Sequence, residues 1–181
     1  MPNTAGQAAW VALLRGINVG GTHKVPMAEL RTLLTATGLA DVRTYIQSGN
    51  AVFSSDLAEA RLVTLIQDAL RDRFGFAIAT AVRSAKEFRT ALDASPFADA
   101  DPSRAYLAFL SEPATKEALA RLNAAASDTE EVRSIGRELH LNFPEGMASS
   151  KLAAGLPKLV GQEVCTARNL RTCRAIAGML G

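Results

Sequence analysis

Two cysteines and two histidines are all the thiol and imidazole chemistry that 181 residues carry. Cys165 and Cys173 cannot build a disulfide framework, and no His or Cys pair has the spacing of a zinc site, so no metal is expected. With only His23 and His140 available, no G-x-S-x-G elbow and no paired-carboxylate motif, the familiar acid–base and nucleophilic machineries are missing. Neither G-x-x-x-x-G-K-[ST] nor G-x-G-x-x-G occurs, which excludes the common phosphate-loop fingerprints. No apolar run approaches the roughly 20 residues needed to cross a bilayer. Met1 to Gln7 lacks a basic n-region followed by a long apolar stretch, so a cytoplasmic protein with no membrane partner is expected. The formal charge of +2 is too mild to demand a long nucleic acid.

Hydrophobic residues are abundant, at 48%, and mean hydropathy is +0.08, so there is ample material for a core. Ala8 to Leu14 is nearly all apolar and reads as a covered strand. Pro26 opens a helix through Met27, Leu30, Leu33 and Leu34 that stops at Gly38. Val42 to Ser55 reads as two strands joined by a two-residue turn at Gly49-Asn50, or less simply as one strand bulged at Gly49. Ser55 or Asp56 caps a long helix ending at Gly75; a strand comes next over Phe76 to Val82, then a short helix capped by Ser84 and ended by Pro96.

Ala94 to Ser103 has linker composition, and the second half of the chain repeats the first. Ala105-Tyr106-Leu107-Ala108-Phe109-Leu110 echoes Ala9-Trp10-Val11-Ala12-Leu13-Leu14. A helix from Thr115 to Ala126 leads to Glu131-Val132-Arg133-Ser134, an echo of Asp41-Val42-Arg43-Thr44, and to a hairpin turning at Gly136-Arg137. Ser149 or Ser150 caps a helix that Pro157 divides or ends; Glu163 to Thr166 is a last strand, and Asn169 caps a final helix. The expected fold class is α+β, a tandem duplication of a ferredoxin-like βαββαβ unit, each followed by an extra helix. Domains are expected at 1–97 and 98–181.

Three places carry candidate chemistry. The connection after the first strand holds Arg15, Asn18, Gly20, Gly21 and Lys24, where bare amides beside cations suit an oxyanion. The plainer alternative is a long β-to-α connection whose glycines serve only the turn. Tyr45, Gln47, Ser48 and Asn50 set a phenol, two amides and a hydroxyl on one hairpin, enough to read a polar ligand. Within a single ferredoxin-like sheet this hairpin is expected at the opposite end from the first loop, so one domain alone would not join them. Lys151 opens one late helix, and Arg168 and Asn169 stand at the start of another, where helix N–H groups and guanidiniums favour an anion; Arg168 pairing with a carboxylate is the equal alternative.

Leu-Leu-Arg-Gly-Ile-Asn-Val-Gly-Gly with Lys24, Met27 and Leu30, then Thr44 to Phe53, then Ser150-Lys151-Leu152 and Thr166-Ala167-Arg168-Asn169 with Thr172, resemble an uncharacterised bacterial family, domain of unknown function 1697. The resemblance implies a small cytoplasmic bacterial α+β protein with a duplicated ferredoxin-like organisation, and no transferable activity, cofactor or catalytic residue. Leu170 stands where the family usually has Trp, an aromatic lost from this chain whether it served stacking or packing.

The first expectation is therefore a binder of an anionic, phosphate-bearing ligand such as a nucleotide or nucleic acid, at the glycine-rich loop and a groove between the halves. A small ligand is favoured over a long nucleic acid. An enzyme of small-molecule metabolism using Tyr45, His23 or Lys24 is the alternative, and a structural or interaction module without a small ligand is the third. Trp10, Tyr45 and Phe53 lie on strands but nothing resembles an RNP motif, so these rings are expected in a core. The sequence specifies no cofactor.

Overall fold

The structure, a computed structural model, describes residues 6–181. The Met1 to Gln7 stretch read for a signal lies outside the described residues as far as position 5. The elements run β1 (Ala8–Leu14), α1 (Met27–Ala36), β2 (Ala40–Tyr45), β3 (Asn50–Ser55), α2 (Glu59–Phe74), β4 (Thr80–Ser84) and α3 (Ala85–Asp93). The order then recurs as β5 (Ala105–Leu110), α4 (Lys116–Ala125), β6 (Glu131–Ile135), β7 (Glu138–Asn142), α5 (Lys151–Val160), β8 (Cys165–Asn169) and α6 (Leu170–Met179).

Each half makes its own four-stranded antiparallel sheet, ordered β2-β3-β1-β4 in the first and β6-β7-β5-β8 in the second. The fold is thus the α+β duplication of a ferredoxin-like unit. Two compact units result, one running to Phe88 together with Ile176–Gly181, the other Arg89–Ala175. In the first, Ala12, Leu14, Phe53 and Val82 meet Leu30 and Leu34 of α1 and Leu62, Ile66 and Leu70 of α2. In the second, Ala108, Leu110, Leu139 and Leu141 meet Leu122 of α4 and Leu152, Leu156 and Val160 of α5. Strand period and helix period thus bury one face of each element, as amphipathic patterning requires.

The two sheets also match in register on the face away from these helices. Across the first, Arg43, Val52, Val11 and Arg83 stand opposite one another in one row. Across the second the same row reads Arg133, His140, Leu107 and Arg168. Aligned this way, Ile46 corresponds to Gly136, and both take left-handed φ, 48° and 60°.

Several local expectations differ from the structure. Tyr45 pairs with Asn50, so the first hairpin turns through the four residues 46–49 rather than two, because Asn50 is needed in the ladder. β4 begins at Thr80, four residues later than expected; Phe76 instead packs against the core as partly buried connecting chain. The cap position of α2 is Ala58 with no side-chain bond, while Ser55 Oγ accepts from Leu57 N. Pro157 sits inside α5 and neither divides nor ends it; Gly161 closes that helix with φ 75°. β8 runs on to Asn169, whose Oδ1 accepts from Thr172 N at 2.8 Å and caps α6.

Candidate functional site

The β1–α1 connection is anchored at both ends and open in the middle. Ile17 and Val25 are buried in the first core, while Val19 is 65% exposed. Between them Val19 to Thr22 form a tight turn in which Thr22 N donates to Val19 O at 3.1 Å. Gly20 and Gly21, with φ 59° and 77°, take the two left-handed central positions of a type I′ turn. A Cβ at either would meet nothing within 4 Å, so these glycines answer to backbone conformation and not to crowding.

Asn18 holds the connection together. Its backbone N–H donates to His23 O at 3.1 Å, and its Oδ1 accepts from Val25 N at 2.8 Å. Its Nδ2 donates both to Val25 O at 2.9 Å and to Gln47 O at 2.8 Å. The last bond joins the connection to the β2–β3 hairpin, and the end of β1 meets the same hairpin where Leu14 N donates to Gly49 O at 2.8 Å. The expectation that hairpin and loop lie at opposite ends of the sheet is therefore corrected. The α1 crossover makes β2 run parallel to β1, so β2 ends, and its hairpin turns, where β1 ends.

Of the residues expected at a site, Arg15 (half-buried), Gly20, Gly21, Lys24 and Gln47 (all exposed), Tyr45 and Ser48 (half-buried) and the buried Asn50 share this end of the first unit. The amides of Asn18 and Asn50 serve the backbone: Asn50 Nδ2 donates to Tyr45 O at 2.9 Å and to Ser48 Oγ at 3.0 Å. Three of the four described non-glycine residues with positive φ, Asn18, His23 and Ile46, also lie here. For a β-branched residue such as Ile46, 48% exposed, that conformation is a genuine outlier of the kind that gathers at functional sites.

The remaining expected residues belong to the second unit. Lys151 is exposed at the start of α5, where Ser150 Oγ caps Ala153 N, beside a groove of about 360 Å³ bordered by Ser127, Glu130 and Glu145. Arg168 faces the other way, off the side of the sheet remote from α5, and is 8% exposed. Its Nη1 donates to Thr166 Oγ1 at 2.7 Å and to Ala167 O at 2.9 Å. Burial lowers its pKa to about 10, well above neutral pH, and the same burial pushes the neighbouring Cys173 thiol up to about 12. Lys151 and Arg168 are therefore not brought together, and Asn169 is engaged as the α6 cap.

Arg83 carries no signal of its own in the sequence, although Val82-Arg83-Ser84 before α3 parallels Ala167-Arg168-Asn169 before α6. It is 2% exposed, donates to Val82 O at 2.9 Å and lies 3.9 Å from Glu59. A second groove, about 480 Å³, runs beside Arg43, whose Nη2 donates to Met179 O at 2.5 Å, with Leu180 and Gly181 lining it. Among the described residues no three His, Cys, Asp or Glu side chains gather to hold a metal ion, and no helix is long and apolar enough to cross a membrane.

Residues 8–140 match the profile of a family described as "Protein of unknown function (DUF1697)". A conserved bacterial protein from Streptococcus pneumoniae has a similar structure, with TM-score 0.74 and 27% identity over 97% of this chain and 99% of that one. An unknown protein from Galdieria sulphuraria aligns at TM-score 0.25 and 15% identity over 90% and 96% of the two chains. No curated protein matches.

Proposed function

The chain belongs to this DUF1697 family, whose description names no activity, and we propose from the geometry alone that it binds a phosphate-bearing anion at the loop-and-hairpin end of the first sheet. The observation that carries the reading is an internal control. From β1 to α1 the chain takes residues 15–26, twelve residues; from β5 to α4, the equivalent step in the repeat, it takes 111–115, five residues with no glycine. The fold itself needs only the shorter connection. The extra length carries Asn18, both turn glycines and Lys24, and long connections on a rigid scaffold are where binding residues concentrate.

Arg15 at the strand end and Lys24 on the loop supply positive charge, and the hairpin adds Gln47 and Ser48. Because Asn18 fixes the loop and ties it to Gln47, little ordering entropy is left for a ligand to offset. Trp10 is a poor reporter, four residues or about 13 Å back along β1. Calorimetric titration with inorganic tripolyphosphate is the test: the wild type binds, and Arg15→Ala with Lys24→Ala together weaken binding at least tenfold. Equal binding by wild type and double variant, or no binding by either, contradicts the reading.

A further inference from the structure

His23 is an exposed residue in a left-handed conformation, φ 46°, whose imidazole lies flat on a phenyl ring. The His23 and Phe76 centroids are 4.4 Å apart with 28° between planes. Phe76 is in turn 6.3 Å from Phe74, and the Arg73 guanidinium carbon lies 5.7 Å from the centre of the Phe74 ring. Phe74 and Phe76 are half-buried and packed on the first core, so the support beneath His23 is rigid. Phe76 covers one face of an imidazole that nevertheless stays exposed, which leaves the other face for a second flat ring.

Two cationic residues are carried by backbone close to this stacked pair. Lys24 follows His23 in the chain, and Arg15 N donates to Ala79 O, so the end of β1 borders the same 76–79 segment that carries Phe76. Asn18 N donating to His23 O fixes the ring's backbone to the turn of Gly20 and Gly21. A bare oxyanion needs the cations alone. It has no use for an aromatic support, and neither does the loop, since a polar residue that tolerates left-handed φ would close the turn equally well.

Resting on the anion-binding reading above, we propose that the ligand is a nucleoside phosphate, its base stacked on the outer face of His23 and its phosphates between Arg15 and Lys24. Stacking on an aromatic side chain is tolerant of base identity and is worth about 5- to 150-fold in affinity per base. The shared chemistry fits a free nucleotide and a nucleotide unit of a single strand alike.

The test compares calorimetric titrations of inorganic tripolyphosphate, ATP and a short single-stranded oligonucleotide into the full chain. ATP is expected to bind about 5- to 150-fold more tightly than tripolyphosphate. His23→Asn, which keeps a residue tolerant of positive φ, and Phe76→Leu, which keeps the apolar packing, are expected to bring ATP down to the tripolyphosphate affinity while leaving tripolyphosphate itself unchanged. An oligonucleotide that binds more tightly than ATP, with the same loss in His23→Asn, assigns the base to a strand; one that binds more weakly assigns it to a free nucleotide. Equal affinity for ATP and tripolyphosphate in the wild type, or an undiminished preference in both variants, overturns the stacking proposal and leaves the anion site standing. Absence of binding by tripolyphosphate and ATP alike overturns both.

Discussion

Asn18 Nδ2 donates to Gln47 O at 2.8 Å across 29 residues of sequence, and this one bond fastens the long β1–α1 connection to the hairpin beside it. Binding of a ligand there depends on that end of the sheet being a single, fixed surface.

Removing the amide tests the fastening. Asn18→Ala deletes three side-chain bonds, two of them to Val25, and puts a less tolerant residue at φ 56°. At about 1 kcal/mol net per hydrogen bond, the expected loss is about 2–3 kcal/mol in chemical denaturation. Asn18→Asp keeps the acceptor for Val25 N but sets a carboxylate against two carbonyl oxygens, so it is expected to be no better than Ala. Asn18→Ala should speed amide exchange at Val25, whose N–H then loses its side-chain acceptor. A wild-type stability in Asn18→Ala contradicts the assigned role.

The glycines separate conformation from crowding. Gly20→Ala meets open space and suffers only from positive φ, a cost of about 1 kcal/mol. Gly49→Ala meets the same conformational penalty at φ 86° and also sets its Cβ 2.6 Å from Ile17 Cδ1 and 2.9 Å from Leu14 Cβ. Both neighbours are buried, so the expected cost rises to about 3 kcal/mol. Melting of the two variants side by side checks the order; equal losses would show that the hairpin does not press on the loop as described.

His140 makes stability depend on pH. Its side chain is 0% exposed and neither ring nitrogen has a hydrogen-bond partner among the described residues, so burial holds the imidazole neutral and lowers its pKa to about 4 from the ordinary 6.5. The groups sharing its row are Arg133 and Arg168, both cationic, with Glu138 two residues along β7. Between pH 6.5 and 4 the unfolded chain takes up a proton that the folded chain refuses, so stability falls as pH falls through that window. The shift is worth about 3 kcal/mol in all. His140→Val, copying Val52 at the matching place in the first unit, should flatten this part of the pH profile and be at least as stable at pH 7, since no unpartnered nitrogen stays buried. A variant whose profile from pH 6.5 to 4 overlays the wild type contradicts the account.

The repeat was legible because it rests on periodicity, which local sequence carries: Ala105 to Leu110 and Ala9 to Leu14 alternate alike, and Ser84 and Asn169 cap as their residue types require. Consequences of strand pairing are not written locally. That Asn50 belongs to the ladder and not to the turn is decided by Tyr45 and Leu13 opposite it. The meeting of loop and hairpin comes from the direction of β2, and the direction comes from the α1 crossover. In the sequence Arg168 marks a charged helix start and Arg83 carries no signal of its own; that both are buried at matching places in register follows from strand pairing. Ile46 gave no signal at all, since nothing in its type announces a left-handed turn.

The most direct measurement is an amide nitrogen–proton shift map of the isotope-labelled protein during titration with inorganic tripolyphosphate. The account predicts the largest saturable changes at Gly16 to Lys24 and Gln47 to Gly49, absent from the combined Arg15→Ala and Lys24→Ala variant. Changes confined to the start of α5 around Lys151, or to residues around Arg168, with the loop and hairpin unmoved, would contradict it.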